Sequence, residues 1–290
     1  MLNFRLSGKC HLLNMQSMYF CSMIKCILTG LVLLITILGC NNQNQAANND
    51  EQAVAGKNRE QVLKDSIALF PDSFLLKEQL IQFYRDSEDY DKAIVAVTEA
   101  LSKDSLNSRL WDIKATLHFE NDDPLNAIKS FETALKINPS PRFLILLGSL
   151  YAQTKNIRAL DMADALLQSK LPETEKEALF IKGLYYNYTG AYKQAIGFFD
   201  KCLALDHMHM FAYREKGIAL YEMGKYEDAI TVLDKAVTLQ NKFDEGYYWL
   251  GRCLEKLNRP TEAIEEYKTA LMYSPDYIEP KAALTRLKAP

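Results

Sequence analysis

Two consecutive stretches of 34 residues decide the fold of this chain: MFAYREKGIALYEMGKYEDAITVLDKAVTLQNKF at 210–243 and DEGYYWLGRCLEKLNRPTEAIEEYKTALMYSPDY at 244–277. When the second is written beneath the first, small residues coincide at three places, which are Gly217 and Gly251, Ala229 and Ala263, and Ala236 and Ala270. A fixed internal period of this length indicates stacked helical units, none of which can bury its apolar face alone.

The same period extends towards the N-terminus. One set of small residues comprises Ala93, Ala127, Ala195, Ala229 and Ala263, and a second set comprises Ala100, Ala134, Cys202, Ala236 and Ala270. Glycine recurs at 183, 217 and 251, and proline recurs at 71, 139 and 275 and at 124 and 260. We therefore expect six repeats over residues 74–277, beginning at 74, 108, 142, 176, 210 and 244.

The third repeat departs from this period. Gly148 falls one residue early and Ala159 two residues early, and Ser169 to Pro172 then restore the length. We expect a shorter hairpin turn, a longer following loop and a local kink between the third and fourth repeats.

Each repeat is predicted to be a pair of antiparallel helices, A and B. The apolar residues of the fifth helix B recur at spacings of three and four, the period of an amphipathic helix: Tyr226, Ala229, Ile230, Leu233, Ala236 and Val237. The small residues allow the two helices of a pair to approach closely. Pro124 and Pro260 fall in a first helical turn, where a missing N–H is harmless.

The pattern resembles the tetratricopeptide repeat, W-x2-L-G-x2-Y followed by A-x3-F, A and P. The sixth repeat matches it with Tyr247, Leu250, Gly251, Leu254, Ala263, Tyr267, Ala270 and Pro275. The resemblance implies an all-α, superhelical solenoid of antiparallel helix pairs that binds proteins or peptides. We expect an N-terminal capping helix in 58–73 and a C-terminal capping helix in 278–290.

In proteins of this family, positions 2, 5, 9, 12 and 13 of helix A line the concave, partner-binding face. The resemblance therefore implies binding residues in the fourth to sixth repeats, namely Phe180, Leu184, Asn187, Tyr188, Phe211, Arg214, Ile218, Tyr221, Tyr248, Arg252 and Glu255. Aromatic residues and arginine are favoured in protein interfaces. The alternative for Phe180 and Phe211 is packing at repeat junctions. The carboxylate clamp of chaperone-binding members is absent, because Glu78, Gln82, Ile113, Arg142 and Leu146 occupy its places.

Residues 1–39 are predicted to be a signal peptide. The uncharged run ILTGLVLLITIL at 27–38 follows Lys25 and precedes Gly39-Cys40, as in a secretory leader. Its ending resembles the lipobox of bacterial lipoproteins. The resemblance implies that Cys40 is diacylglycerol-modified, that the leader is cleaved off before it, and that Cys40 is then N-acylated as the mature N-terminus. An uncleaved signal anchor and an ordinary signal peptide are the alternatives. We expect translation to start at Met23 or Met18.

The polar residues 40–57 are predicted to be a flexible tether, because they offer little apolar surface to bury. Asn41 after the cysteine favours the outer membrane, with the chain facing the periplasm or the exterior. Without the basic leader residues Arg5, Lys9 and Lys25, the chain has 31 basic and 37 acidic residues, a net charge of −6. This balance argues against nucleic acid as a partner.

No catalytic motif occurs in the sequence. We therefore expect the chain not to be an enzyme, and to bind no cofactor, metal ion or small-molecule substrate. His207 and His209 lack an evident third metal ligand and are expected in an exposed inter-repeat turn. Cys202 and Cys253 are expected to be small buried residues. The sequence thus predicts a membrane-anchored scaffold or adaptor of the cell envelope. The alternative is an accessory or regulatory subunit of an envelope enzyme or of a secretion or pilus assembly machine.

Overall fold

The computed structural model describes residues 59–168 and 170–287, which fall into two compact units divided between Asn138 and Pro139. The predicted signal peptide, the tether with Cys40, and the last three residues of the predicted C-terminal cap lie outside the described residues. Every regular element in the described part of the chain is a helix.

The described part of the first unit contains five helices, which are α1 (59–69), α2 (Phe74–Asp86), α3 (Tyr90–Lys103), α4 (Ser108–Glu120) and α5 (Pro124–Ile137). The described residues of the second unit form nine helices, which are α6 (Pro141–Gln153), α7 (Arg158–Gln168), α8 (Pro172–Tyr188), α9 (Tyr192–Leu205), α10 (Met210–Glu222), α11 (Tyr226–Leu239), α12 (Asp244–Lys256), α13 (Pro260–Tyr273) and α14 (Ile278–Arg286). Among α2 to α5 and among α6 to α14, consecutive helices pack against each other as predicted for helix pairs.

The periodic alanines form the centre of both units. Ala93, Ala127, Ala159, Ala195, Ala229 and Ala263 are all 0% exposed. The glycines of helices A let the partner helix approach even closer. A Cβ atom on Gly251 would lie 2.6 Å from Cε1 of Tyr267, a side chain that is itself fully buried. Small residues at these two places therefore set the distance between helix A and helix B.

A tight left-handed turn joins helix A to helix B in every repeat. Its second residue has a positive φ, at Glu88 (56°), Asp122 (55°), Lys155 (57°), Gly190 (84°), Gly224 (73°) and Asn258 (57°). The next N–H then bonds back across the turn, as Lys225 does to the carbonyl of Leu220 at 2.9 Å. This pattern is a Schellman motif, which satisfies the last carbonyls of helix A.

Helices α2 to α5 of the first unit are capped by side chains. Ser73, Asp89, Asn107 and Asp123 each accept a backbone N–H from the first turn of the helix that follows. Each such cap is worth about 1 kcal/mol. Each of these polar residues thus marks the start of the helix that follows it.

The third repeat absorbs its missing residue where the chain enters α7. The N–H of Ala159 bonds to the carbonyl of Asn156, three residues back, at 3.1 Å, whereas Ala229 bonds four residues back to Lys225 at 3.0 Å. A first turn with bonds of this 3₁₀ type holds fewer residues than an α-helical turn. The prediction of a shorter hairpin turn is therefore corrected, because the shortening lies after the left-handed turn, where helix B begins.

The residues that restore the 34-residue period lie in α8. The expectation of a longer loop after the third repeat is therefore corrected. Helix α8 has 17 residues and begins at Pro172, with Glu173 and Glu175 in its first turn. Proline and acids favour a helix N-terminus, so the added residues extend the helix. Gly148 also differs from its counterparts, since a Cβ there would lie 2.8 Å from Cδ1 of Ile181 in α8. The kink between these repeats stays a prediction.

No helix in the described ranges is long and apolar enough to cross a membrane. Cys202 and Cys253 are free and buried, as expected. Burial raises the pKa of each thiol to about 12, so both remain protonated and pack as small apolar groups.

Candidate protein-binding face

Helices α8, α10 and α12 carry all eleven residues that the sequence predicts for the partner-binding face. We call the surface formed by these three helices the A face. Phe211, Arg214, Ile218, Tyr248, Arg252, Glu255 and Tyr188 are partly exposed on it.

Four of the predicted residues lie in the interior. Phe180 is 1% exposed, Leu184 2%, and Asn187 and Tyr221 7% each. Phe180 is buried because its ring packs against Phe199 and, with centroids 4.7 Å apart, against His209. Because the ring is buried, a partner can approach Phe180 only through the side chains that cover it. Its contacts are those of packing at a repeat junction, the alternative given for this residue.

Phe211 is held in place by its neighbours on the rim of the A face. Its ring meets those of His209 and Phe243 edge-on, with centroids 6.4 Å away in each case. The guanidinium carbon of Arg214 lies 5.0 Å from the ring centroid. The ring is thus fixed in one orientation while part of its surface stays accessible.

Arg214 is already neutralised within the chain. It donates to Glu245 Oε2 at 2.5 Å from Nη1 and to Glu215 Oε1 at 2.8 Å from Nη2. Glu215 is 4% exposed and also accepts a hydrogen bond from Asn187 Nδ2 at 3.0 Å. This network joins α8, α10 and α12, and a buried charge network of this kind orders the helices it connects.

Arg252 lies in a different environment, made of aromatic rings and hydroxyls. It donates from Nη1 to Tyr248 Oη and from Nη2 to Tyr221 Oη, both at 3.0 Å. Its guanidinium carbon lies 5.1 Å from the ring centroids of Tyr221 and Trp249 and 5.8 Å from that of Tyr248. We call these four residues the Arg252 cage. Cation–π contacts and the two hydrogen bonds hold the guanidinium in one position.

Glu255 is occupied by its neighbours on the last helices. It accepts hydrogen bonds from Arg286 Nη2 at 2.5 Å and 2.7 Å, and from Tyr267 Oη at 2.5 Å. Burial and this carboxylate raise the pKa of Tyr267. Glu255 thus ties α12 to α13 and α14, and its charge is compensated.

His209 has a structural place at the start of α10. Its Nδ1 accepts the N–H of Ala212 at 3.1 Å, so it caps the helix. Burial lowers the pKa of the His209 imidazole to about 4, which keeps Nδ1 free to accept. His207 is exposed, as expected for this turn, whereas His209 is partly buried. Among residues 59–168 and 170–287, no group of three or more His, Cys, Asp or Glu side chains is arranged for a metal ion.

Sequence reasoning missed Glu215, Trp249 and Arg286, which are essential to these contacts. A signal was available for Arg286 alone among these three, because pairs across neighbouring helices A recur at a separation of 31 residues. They are Glu78 with Arg109, Arg214 with Glu245, Tyr221 with Arg252, and Glu255 with Arg286. This separation is one repeat less about one helical turn, so it identifies side chains that face each other.

Family comparisons support the helical repeats directly. The tetratricopeptide repeat family matches residues 108–141 and 220–287. The family described as anaphase-promoting complex, cyclosome, subunit 3 matches residues 153–236. None of these matches indicates a catalytic family. A comparison with curated protein sequences gave no match.

Solved structures of similar fold include a tetratricopeptide repeat protein from Parabacteroides merdae, which is 20% identical with a TM-score of 0.68 over 84% of this chain and 97% of that one. PilW, described as a widely conserved type IV pilus biogenesis factor, is 22% identical with a TM-score of 0.55, covering 72% of this chain and 97% of its own. A tetratricopeptide protein of Thermus thermophilus is 18% identical with a TM-score of 0.54, covering 62% and 98%. The predicted all-α fold class is confirmed, and these likenesses bear on the fold alone.

Proposed function

We propose that this chain, which contains tetratricopeptide repeats, is a lipid-anchored scaffold of the bacterial cell envelope that binds another protein on its A face. The repeat fold is that of a scaffold for interactions between proteins.

One observation carries the choice of surface. The A face combines partly exposed aromatic rings, Phe211, Tyr248 and Trp249, with a guanidinium held among them at Arg252. Tyrosine, tryptophan and arginine dominate the binding energy of protein interfaces. Because neighbouring side chains fix these groups, they lose little conformational freedom when a partner binds.

The envelope location is supported by the leader. The uncharged run at 27–38 is followed by Gly39-Cys40, and residues 40–57 separate that cysteine from the repeats. Two or more acyl chains at Cys40 give stable anchoring, whereas one is marginal. A flexible linker of this length would let the repeats reach roughly 20 to 25 Å from the membrane surface. Asn41 supports the outer membrane.

Site-specific photocrosslinking in intact cells tests the surface. Glu222 and Lys256 are exposed on α10 and α12, and Met272, on helix B α13, is 65% exposed. A photoreactive residue at Glu222 or Lys256 should capture the partner, and one at Met272 should not. Capture from Met272 alone would overturn the choice of the A face. An envelope hydrolase or a secretion component in the captured material would identify the chain as an accessory subunit.

A further inference from the structure

The cations on α8, α10 and α12 divide into two groups. Four of the six form ion pairs, which are Lys176 with Asp206 at 2.6 Å, Lys182 with Asp164 at 2.6 Å, Arg214 with Glu245 at 2.5 Å and Lys216 with Asp200 at 2.6 Å. Arg252 and Lys256 form no ion pair with any side chain of the described residues. These two lie together, because Lys256 Nζ is 5.9 Å from the ring of Tyr221, which also faces Arg252.

The unpaired guanidinium is pre-organised for a carboxylate. Two of its five N–H groups donate to Tyr221 and Tyr248, which leaves three for another acceptor. The rings of the cage hold the guanidinium in place and lower the effective dielectric around it, so that a charge-assisted hydrogen bond is stronger there than in water. A planar guanidinium also favours the two-oxygen geometry of a carboxylate.

The surroundings define what can accompany that carboxylate. Trp249, Tyr248 and Tyr226 are partly exposed, and the ring of Tyr226 meets Tyr221 edge-on with centroids 5.3 Å apart. They offer apolar surface beside the guanidinium. Glu222 follows Tyr221 and is exposed, so a segment with several successive acids would be repelled.

We infer that the Arg252 cage, with Lys256, binds a single carboxylate of the partner and that an apolar or aromatic residue of the same segment packs on Trp249 and Tyr248. This inference rests on the proposed binding at the A face and deepens it by naming the chemistry of the bound segment. The carboxylate belongs to an aspartate or glutamate side chain or to a free C-terminus. The cage uses residues other than those at the places of the family's carboxylate clamp, where Glu78, Gln82 and Ile113 stand.

A selection from random 12-residue peptides displayed on phage tests the inference, with the full chain as bait. Wild-type protein should enrich peptides with one acidic residue at a constant spacing from an aromatic or apolar residue. Arg252→Gln should lose that enrichment. Arg259→Gln is the matched control, because Arg259 lies in the turn after α12, pairs with Glu262, and carries the same charge. Circular dichroism establishes that each variant is folded.

The enriched peptide is then synthesised for a double-mutant cycle. Arg252→Gln and a Glu-to-Gln change in the peptide should each weaken binding roughly 10- to 100-fold, and together they should weaken it little further. Arg252→Lys should bind less tightly than wild type, because it keeps the charge and loses the planar fork. An amidated C-terminus that abolishes binding assigns the carboxylate to the chain end, and unchanged binding assigns it to a side chain.

The outcomes separate this inference from the proposed function. Peptides that crosslink to Glu222 or Lys256 positions but show no acid preference, or that bind Arg252→Gln as tightly as wild type, would overturn the inference and leave the A face as the binding surface. A chain that enriches no sequence and crosslinks its partner only from Met272 would overturn both.

Discussion

A methyl group added at Gly217 should destabilise the second unit, and the structure provides the magnitude. A Cβ atom there would lie 2.8 Å from both Cγ and Cδ2 of Leu233 and 3.2 Å from Cδ1. Leu233 is 0% exposed, so it has no room to move away. Forcing an extra methyl into a packed contact costs about 1–3 kcal/mol.

Gly217→Ala also removes a flexible glycine from a helix, which by itself stabilises by about 0.5–1 kcal/mol. Gly197→Ala measures this contribution alone, because Gly197 lies within α9 and a Cβ there would meet nothing within 4 Å. We therefore expect Gly197→Ala to be more stable than wild type and Gly217→Ala to be less stable than Gly197→Ala by about 1–3 kcal/mol.

Urea denaturation followed by far-ultraviolet circular dichroism measures both variants against wild type, with equal m-values as the condition for comparing them. If Gly217→Ala proves as stable as Gly197→Ala, the close packing of α10 on α11 is not as described. The register of the repeats would then be in error.

Three further predictions follow from individual residues. Lys155→Gly should raise the free energy of unfolding by about 0.5–1 kcal/mol in urea denaturation, because φ is 57° at this residue. Lys193→Gly, within α9, should lower it by about 1 kcal/mol. The reverse order would refute the left-handed turn at Lys155. The pKa of His209 in the folded chain, about 4, lies below the usual imidazole value of about 6.5, so the folded state binds fewer protons and the free energy of unfolding falls from about pH 7 towards pH 4. The loss of unfolding free energy should reach roughly 2 kcal/mol at pH 5. His209→Asn, which can still cap α10, should flatten this dependence of stability on pH. An unchanged dependence would contradict a buried, neutral His209. Cys40→Ser should release the protein from membranes, and mass spectrometry should find an acylated peptide beginning at residue 40 in wild type; an intact N-terminal leader on the mature protein would rule this out.

The period of the sequence predicts the backbone well. The spacing alone predicts close helix contacts at positions 93, 127, 195, 229 and 263, and the alanines there are all fully buried. A strict repeat requires the same small residue wherever the same two helices touch, so its position can be read from the sequence. The third repeat was misjudged because one missing residue can be absorbed by a turn or by a tighter helix, and spacing does not distinguish them. Asn156 and Ala159 show that the helix tightened.

The candidate site was less predictable, since its properties depend on contacts between side chains of different repeats. Position within helix A correctly brought Arg252 and Tyr248 together, but it gave Arg214 and Arg252 the same role. Their contacts distinguish them, because Arg214 meets Glu245 one repeat later and Arg252 meets Tyr221 one repeat earlier. Phe180 differs from Phe211 in a similar way, as its exposure is decided by Phe199 and His209.

The most direct test of binding at the A face is the affinity of the crosslinked partner for Tyr248→Ala and for Met272→Ala. Tyr248 belongs to the Arg252 cage, and Met272 is an apolar, 65% exposed residue of a helix B. With both variants folded by circular dichroism, Tyr248→Ala should lose about 2 kcal/mol of binding energy, roughly a 30-fold weaker Kd, while Met272→Ala binds as wild type does. Wild-type affinity for Tyr248→Ala together with weakened binding by Met272→Ala would contradict the account.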